Sequence, residues 1–322
     1  MTESARYFDF AAYLRRHFVG KIQKLSIDGG FSCPNRDGRV GRGGCTYCNN
    51  RTFSPAYTSA RLSVAEQVAE GKRFFARKYP DMRYLAYFQS YTGTYGRPDE
   101  AIARYEEALS CDGVEGLVVG TRPDCMPQEL LDYFSSVARR RFVMVEYGVE
   151  STHEATLRRV NRGHTFAQSI EAVERAHRAG LQVGVHLILG LPGETRAMML
   201  ASAERLSRLP IDTVKLHQLQ IVRQTPMARE YADSPGQFHL FAPDEYAALV
   251  CDFLERLAPR IAVERFTAQS PREWLVAPDW GMKNHAFVEL VRREFRRRDT
   301  RQGFRCAESE KTNAALVETF SD

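Results

Sequence analysis

No apolar run in this chain reaches the ~18 residues that a membrane-spanning helix needs, and the opening MTESARYFDF has no signal-peptide pattern. A cytoplasmic, reducing compartment is therefore expected. A disulfide framework is missing too: the seven cysteines are odd in number and irregularly placed along 322 residues. There is no internal repeat with a defined consensus, no low-complexity tract and no dominance of one charge. The 45 Lys and Arg stand against 40 Asp and Glu, a net +5 that by itself says little about partners. What is present is an ordinary soluble globular composition, 43% hydrophobic and 26% charged. The length accommodates one large core or two modest domains, and an α/β barrel commonly uses about 250 residues.

Three of the seven cysteines, Cys33, Cys45 and Cys48, fall within one short stretch with the spacing C-x11-C-x2-C. The residues between them are loop formers: Pro34, Asn35, Asp37, Gly38, Gly41, Gly43 and Gly44. A Gly-rich backbone wraps closely around a bound group and aims three thiolates at it, and thiolates select zinc or iron–sulfur. A closed zinc site normally has a fourth ligand, so three point to a metal position left open. A structural zinc site or plain buried thiols is the alternative. Cys111, Cys125, Cys251 and Cys306 have no paired spacing and are expected as buried or incidental thiols.

Residues 6–18 read as an amphipathic helix with a basic face, within an N-terminal segment 1–20. A strand at 23–28 then runs into the cysteine loop. Further strands are expected at 83–89, 114–120, 142–150, 181–190 and 212–221, with helices at 63–79, 99–109, 128–139, 153–160, 166–179 and 196–208. Six strands alternating with helices imply parallel βαβ units. An open doubly wound sheet and a barrel, complete or partial, both fit, and both put chemistry at the C-terminal strand ends, where the polar loops lie. After residue 221 the alternation fades into helices at 243–258 and 287–298, with one more strand open at 263–269 and a polar tail from Cys306.

Taken together, the cysteine loop and strand ends resemble the radical S-adenosylmethionine (SAM) superfamily. The usual spacing there is C-x3-C-x2-C; the first gap here is longer, while Tyr47, the aromatic before the last cysteine, fits. TRPDC at 121–125, YGVES at 147–151, NRGHT at 161–165 and HLILGLPGET at 186–195 are similar, in the same order, to the radical domain of the Elongator catalytic subunit. They resemble oxygen-independent coproporphyrinogen oxidase more distantly. The likeness covers roughly residues 20–225 and implies a bacterial-type Elongator-like enzyme without the acetyltransferase domain.

The implied fold is α/β, a partial (β/α)6 TIM-like barrel over 21–225 with a small C-terminal extension over 226–322. The implied cofactors are a [4Fe–4S] cluster on Cys33, Cys45 and Cys48, and S-adenosyl-L-methionine at its open iron, cleaved by an electron from an external donor. Thr92, Gly93 and Thr94 stand where the family often has Gly-Gly-Glu to receive the cofactor's amino group; the acid is missing, so a backbone carbonyl or Thr94 would take that bond. Glu150 matches a ribose-binding position, and a carboxylate accepts two hydroxyls well. Arg162 matches an arginine that pairs with the cofactor carboxylate. His186 would face the sugar, and Ile188 and Gly190 would lie along the adenine. Each has a structural alternative: Glu150 as a helix cap, Arg162 as a surface ion pair, His186 as a satisfied core histidine. Arg122 and Asp124 read as an ion pair shaping their own loop, with substrate contact as the alternative.

The segment 292–305, with Arg292, Arg293, Arg296, Arg297, Arg298 and Arg301, is either a solvated helix face or a phosphate-binding patch with stacking aromatics. Arg15, Arg16, Lys21 and Lys24 would extend such a patch. The expected function is radical SAM chemistry on RNA, with transfer RNA (tRNA) indicated by the Elongator likeness. A small metabolite or peptide substrate, or a noncatalytic metal-binding RNA adaptor, are the alternatives.

Overall fold

Seven short segments rich in apolar residues each become a strand of one parallel sheet. The computed structural model describes residues 6–52, 54–55, 57–76 and 82–306. The strands are β1 (Ile22–Ile27), β2 (Arg83–Phe88), β3 (Val114–Thr121), β4 (Phe142–Glu150), β5 (Gln182–Leu189), β6 (Thr213–Gln218) and, after the short β7 (Ile221–Val222), β8 (Ala262–Arg265). Spatial order follows chain order, β1-β2-β3-β4-β5-β6-β8, with every neighbour parallel. Sequential parallel strands with crossovers of one hand keep the helices on one face and curl the sheet about the other. The result is a partial barrel.

The six expected strands are present, and the seventh comes from the segment left open. Because β8 lies beyond residue 225, the sheet runs across the boundary expected there. The expected strand 212–221 is broken after Gln218, whose side-chain amide pairs with both backbone groups of Ala268. Its remainder, β7, turns away to form an antiparallel ribbon with β9 (Leu275–Ala277).

The crossovers contain α2 (Pro34–Asp37) and α3 (Val64–Ala76) after β1, then α4 (Pro98–Ser110), α5 (Gln128–Ala138), α6 (Glu154–Arg159), α7 (Phe166–Arg178) and α8 (Arg196–Ser207). Ser63 caps α3 as expected: its hydroxyl accepts from Glu66 N at 3.1 Å while the Glu66 carboxylate takes Ser63 N–H at 2.7 Å. Beyond β6 come α9 (Pro226–Asp233), α10 (Pro243–Arg256) and α11 (Asn284–Arg298). Outward residues such as Leu25, Leu117, Val145, Val185 and Leu216 are fully buried under these helices. Each is worth roughly 1.5–3 kcal/mol relative to exposure.

The inner face has a different lining. The helix expected over 6–18 is only α1 (Phe10–Leu14), capped by Asp9, whose carboxylate accepts from Ala12 N at 2.7 Å. Its apolar side outweighs its basic one. Phe8, Phe10, Tyr13 and Phe18 pack against the inward Leu85, Tyr87, Val118 and Met144 and plug the N-terminal end of the barrel. Among the described residues no helix is long and apolar enough to cross a membrane. Residues 77–79 of the expected α3 and the expected polar tail from 307 onward lie outside the described residues.

Candidate active site

At the opposite end from that plug, the loops after the strands surround an open cavity. Cys33, Cys45 and Cys48 all line it. Cys33 is the N-cap residue of α2, its carbonyl taking the N–H groups of Arg36 and Asp37 at 2.9 and 3.2 Å. The loop returns through Gly43 and Gly44, both at positive φ, to a tight turn in which Cys48 N donates to Cys45 O at 3.0 Å. None of the seven cysteines is in a disulfide, and Cys251 is buried in the core as expected. Among the described residues no three His, Cys, Asp or Glu side chains converge as a ready single-ion site. Burial and the neighbouring Cys45 push the Cys48 thiol up to about 12. A thiol in that position needs a bound cation to become a thiolate.

The NRGHT segment holds this loop in place. Asn161 Nδ2 donates to Gly44 O at 2.8 Å, Asn35 Nδ2 donates to Asn161 O at 2.5 Å, and Thr46 N donates to Val160 O at 3.0 Å. Arg162 enters the cavity wall beneath. Its Nη1 lies 3.5 Å from Cys45 Sγ, its Nη2 donates to Gly148 O, and Glu150 is 3.7 Å away. Burial opposes that charge, yet Tyr47, Cys45 and Glu150 hold the Arg162 guanidinium well above its usual range. Glu150 reaches this position from a left-handed backbone (φ 67°) at a bulge in the β4–β5 ladder. A Cβ on Gly148 would lie 2.6 Å from both Arg162 Nη2 and Glu150 Oε1, so a larger residue would have to displace these two side-chain ends.

Arg162 Nε, Thr92 Oγ1 and Tyr47 OH are buried on this cavity without a hydrogen-bond partner among the described residues. Each such orphan costs about 1–3 kcal/mol, so their convergence marks where polar atoms of a ligand belong. The donor set suits the implied cofactors: three sulfurs for a cluster, Arg162 for a carboxylate, Thr92 for an ammonium and Glu150 for ribose hydroxyls.

The expected positions divide here. Tyr47, Thr92, Glu150, Arg162, His186 and Ile188 line the cavity, whereas Gly93, Thr94 and Gly190 do not. Thr94 Oγ1 is 2.6 Å from Thr121 Oγ1 and also donates to Cys125 O, and Gly93 O accepts from Tyr105 OH at 2.5 Å. Thr94 Oγ1 and Gly93 O are thus already engaged, whereas Thr92 Oγ1 has no partner among the described residues. Gly190 packs against Phe241 instead, with which a Cβ would clash at 2.9 Å. Arg122 and Asp124 form the expected ion pair, bidentate at 2.9 Å in both arms, and Arg122 Nη1 supports Arg162 O at 2.7 Å.

Below the cofactor level lies a charged layer that the sequence reading missed. Glu146 on β4 accepts from Tyr87 OH at 2.7 Å, Lys215 Nζ at 2.8 Å and Lys24 Nζ, and His186 Nε2 lies 2.8 Å away. Glu264 on β8 takes Lys24 at 2.5 Å and Lys215 at 2.8 Å. Burial opposes ionisation of Glu146, but Lys215 and Lys24 hold it well below the usual carboxylate range. Burial and Lys215 lower His186; burial and Arg265 lower His217, which also lines the cavity. Lys24 is thus inside the barrel and cannot extend a surface patch. The signal available in the sequence was the presence of charged residues within otherwise apolar strands.

The C-terminal arginines have acidic partners close by. Arg292 pairs with Glu289 at 2.7 Å, Arg293 with Asp244 at 3.1 Å, Arg297 with Glu294 at 2.7 Å, and Arg298 with Glu294 and Asp252 at 2.5 and 2.6 Å. Arg301 lies past the end of α11, exposed. The helix face carries charge of both signs, as a solvated face does.

Comparison with known proteins agrees with this geometry. Residues 36–206 match the Radical SAM superfamily and residues 211–297 the Radical SAM C-terminal domain. The chain is 34% identical over 298 residues to the uncharacterized protein YtqA of Bacillus subtilis, covering 92% of each. It is 27% identical over 177 residues to human Elongator complex protein 3, covering 53% of this chain and 31% of that protein. Among solved structures, the archaeal Elp3 of Methanocaldococcus infernus superposes with a TM-score of 0.67 at 16% identity, over 90% of this chain and 66% of that one. The family match spans more than half of the sequence and the fold is shared, and the chain belongs to the radical SAM superfamily.

Proposed function

We propose that this chain is a radical SAM enzyme that modifies RNA, transfer RNA foremost. As a member of its superfamily it is an enzyme that uses a [4Fe–4S] cluster and SAM. Cluster and cofactor supply one-electron reductive cleavage when bound, with the electron coming from an external donor. The protein's own residues do the rest. Cys33, Cys45 and Cys48 would hold the cluster, Arg162 the cofactor's carboxylate and Thr92 its ammonium. Glu150 and Ile188 would position the nucleoside, with Tyr47 closing the wall between them. The observation that carries this reading is the meeting of three thiols, the Arg162–Glu150 pair and three orphaned polar atoms on one cavity.

RNA is the substrate favoured by the Elongator likeness, and the cavity's open mouth admits part of a large molecule. Anaerobic reconstitution should give about four irons per chain, and reductant plus SAM should yield 5′-deoxyadenosine. Modified nucleosides in tRNA from cells with and without this chain should then differ. Cleavage without any nucleoside difference would reject RNA and keep the radical chemistry.

A further inference from the structure

The long gap between the first two cysteines is unusual for the cluster loop. Ligand geometry alone does not need eleven intervening residues, and three of them are arginines, Arg36, Arg39 and Arg42, against one acid, Asp37. All three arginines are exposed, as is Arg51 just past the third cysteine. No carboxylate lies within ion-pair distance of any of the four among the described residues, in contrast to α11, where acids sit between the arginines. Three of the four guanidinium groups lie over rings instead. Arg36 is 5.8 Å from the Tyr91 centroid, Arg39 5.8 Å from Tyr95 and Arg51 5.5 Å from Trp274.

These rings come from separate elements. Tyr91 and Tyr95 are in the loop after β2; Trp274 immediately precedes β9, and its carbonyl accepts from Arg223 N at 2.8 Å. Tyr91 is 40% exposed on the cavity rim and has a left-handed backbone (φ 57°), with its N–H donating to Asn50 Oδ1 at 3.0 Å. Holding a bulky residue there costs about 1–3 kcal/mol, a cost that core packing does not recover for a ring left in solvent. Asp37, the insert's one acid, is occupied by Tyr95 OH at 2.7 Å and Arg39 N at 3.1 Å.

We propose that the Cys33–Cys45 insert, with Tyr91, Tyr95, Arg51 and Trp274, is a binding platform for single-stranded RNA at the mouth of the cavity. Arg39, Arg42 and Arg51 take phosphates. Tyr91 and Trp274 take the faces of bases, and a base stacked on Tyr91 already lies at the opening. Chemistry on a base requires it to leave its stack and enter a pocket, and alternating guanidinium and aromatic groups are how sequence-tolerant single-strand sites are built. This inference rests on the RNA reading and assigns that substrate a place.

The test is fluorescence anisotropy with a labelled single-stranded RNA of about 12 nucleotides, within the span one such module covers. The full chain is used across a salt series, with thermal melts and iron content to verify folding. Replacing Arg39, Arg42 and Arg51 together by Gln should weaken binding at least tenfold. It should also reduce the slope of log K against log salt by about 2, three phosphate contacts at ~0.7 each. Trp274→Ala should weaken binding about tenfold and Trp274→Phe should restore most of it. Arg139, Arg140 and Arg141, exposed at the far end of the barrel, are the control; the triple Gln variant should bind normally. Normal binding and slope in the rim triple, or loss only in the control, overturns the proposal. So does a rim that binds no RNA but docks an acidic electron-carrier protein. A tRNA nucleoside difference with normal RNA binding by the rim variants rejects only the location; no nucleoside difference rejects the substrate itself.

Discussion

Glu194, in the LPGE turn after β5, offers a quantitative check on the site's packing. Its carboxylate sits behind the Glu150 loop, where it accepts from the Ser151 hydroxyl, and burial pushes its acid up to about 7 from an ordinary 4.5. The folded chain thus holds this proton more tightly than the unfolded one. The stabilisation is fully present below about pH 4.5 and is lost as pH rises through about 7. The shift of about 2.5 units corresponds to roughly 3 kcal/mol at 1.36 kcal/mol per unit. Glu194→Gln keeps a neutral hydrogen-bonding side chain at every pH, so the variant should match wild type at pH 5 and exceed it at pH 8. At about 2.1 cal/mol/K of unfolding entropy per residue, the 322 residues give about 0.7 kcal/mol/K, so each kcal/mol moves Tm by about 1.5 °C and the gap at pH 8 should be roughly 4–5 °C. Thermal melts of both proteins at both pH values measure it, and comparing variant with wild type at each pH cancels every other titrating group. An equal Tm difference at pH 5 and pH 8 would refute the reasoning.

Other perturbations probe other levels of the structure. Cys45→Ala should lower bound iron from about four per chain to near zero after reconstitution, with the far-UV circular dichroism unchanged. Lys215→Met leaves Glu146 and Glu264 short of a buried cation, and a urea titration should show a loss of about 3–5 kcal/mol. Gly148→Ala puts a methyl against Arg162 and Glu150; the overpacking should cost about 1–3 kcal/mol, and calorimetry should show weakened SAM affinity in the reconstituted chain.

Most of the architecture was legible because parallel strands and their crossovers have local patterns. The cysteine loop, the strand ends and the Arg122–Asp124 pair could all be read from neighbouring residues. What escaped notice depends on curvature. In a sheet buried on both faces, alternate positions look equally apolar, and only the curl of the sheet makes one parity the interior. Glu146, Lys215 and His217 share that parity, and with Lys24 they meet only once the sheet closes. Thr92 and Thr94 are chemically alike and two residues apart; Thr121 and the Cys125 carbonyl, which occupy Thr94, come from the next strand and its loop. For α11 the acids Glu289 and Glu294 were visible within the helix, but Asp244 and Asp252 reach it from α10.

The edges of the partial barrel meet without a backbone ladder. β1 and β8 are instead joined through Lys24, which holds Glu264 from one side of the gap and Glu146 from within. A ladder would set the circumference at every rung, whereas an ion pair sets it at a single depth and tolerates small changes in angle. Above that level no backbone ladder joins the two edge strands, so the width of the mouth is set by the loops that follow the strands and not by hydrogen-bonded rungs.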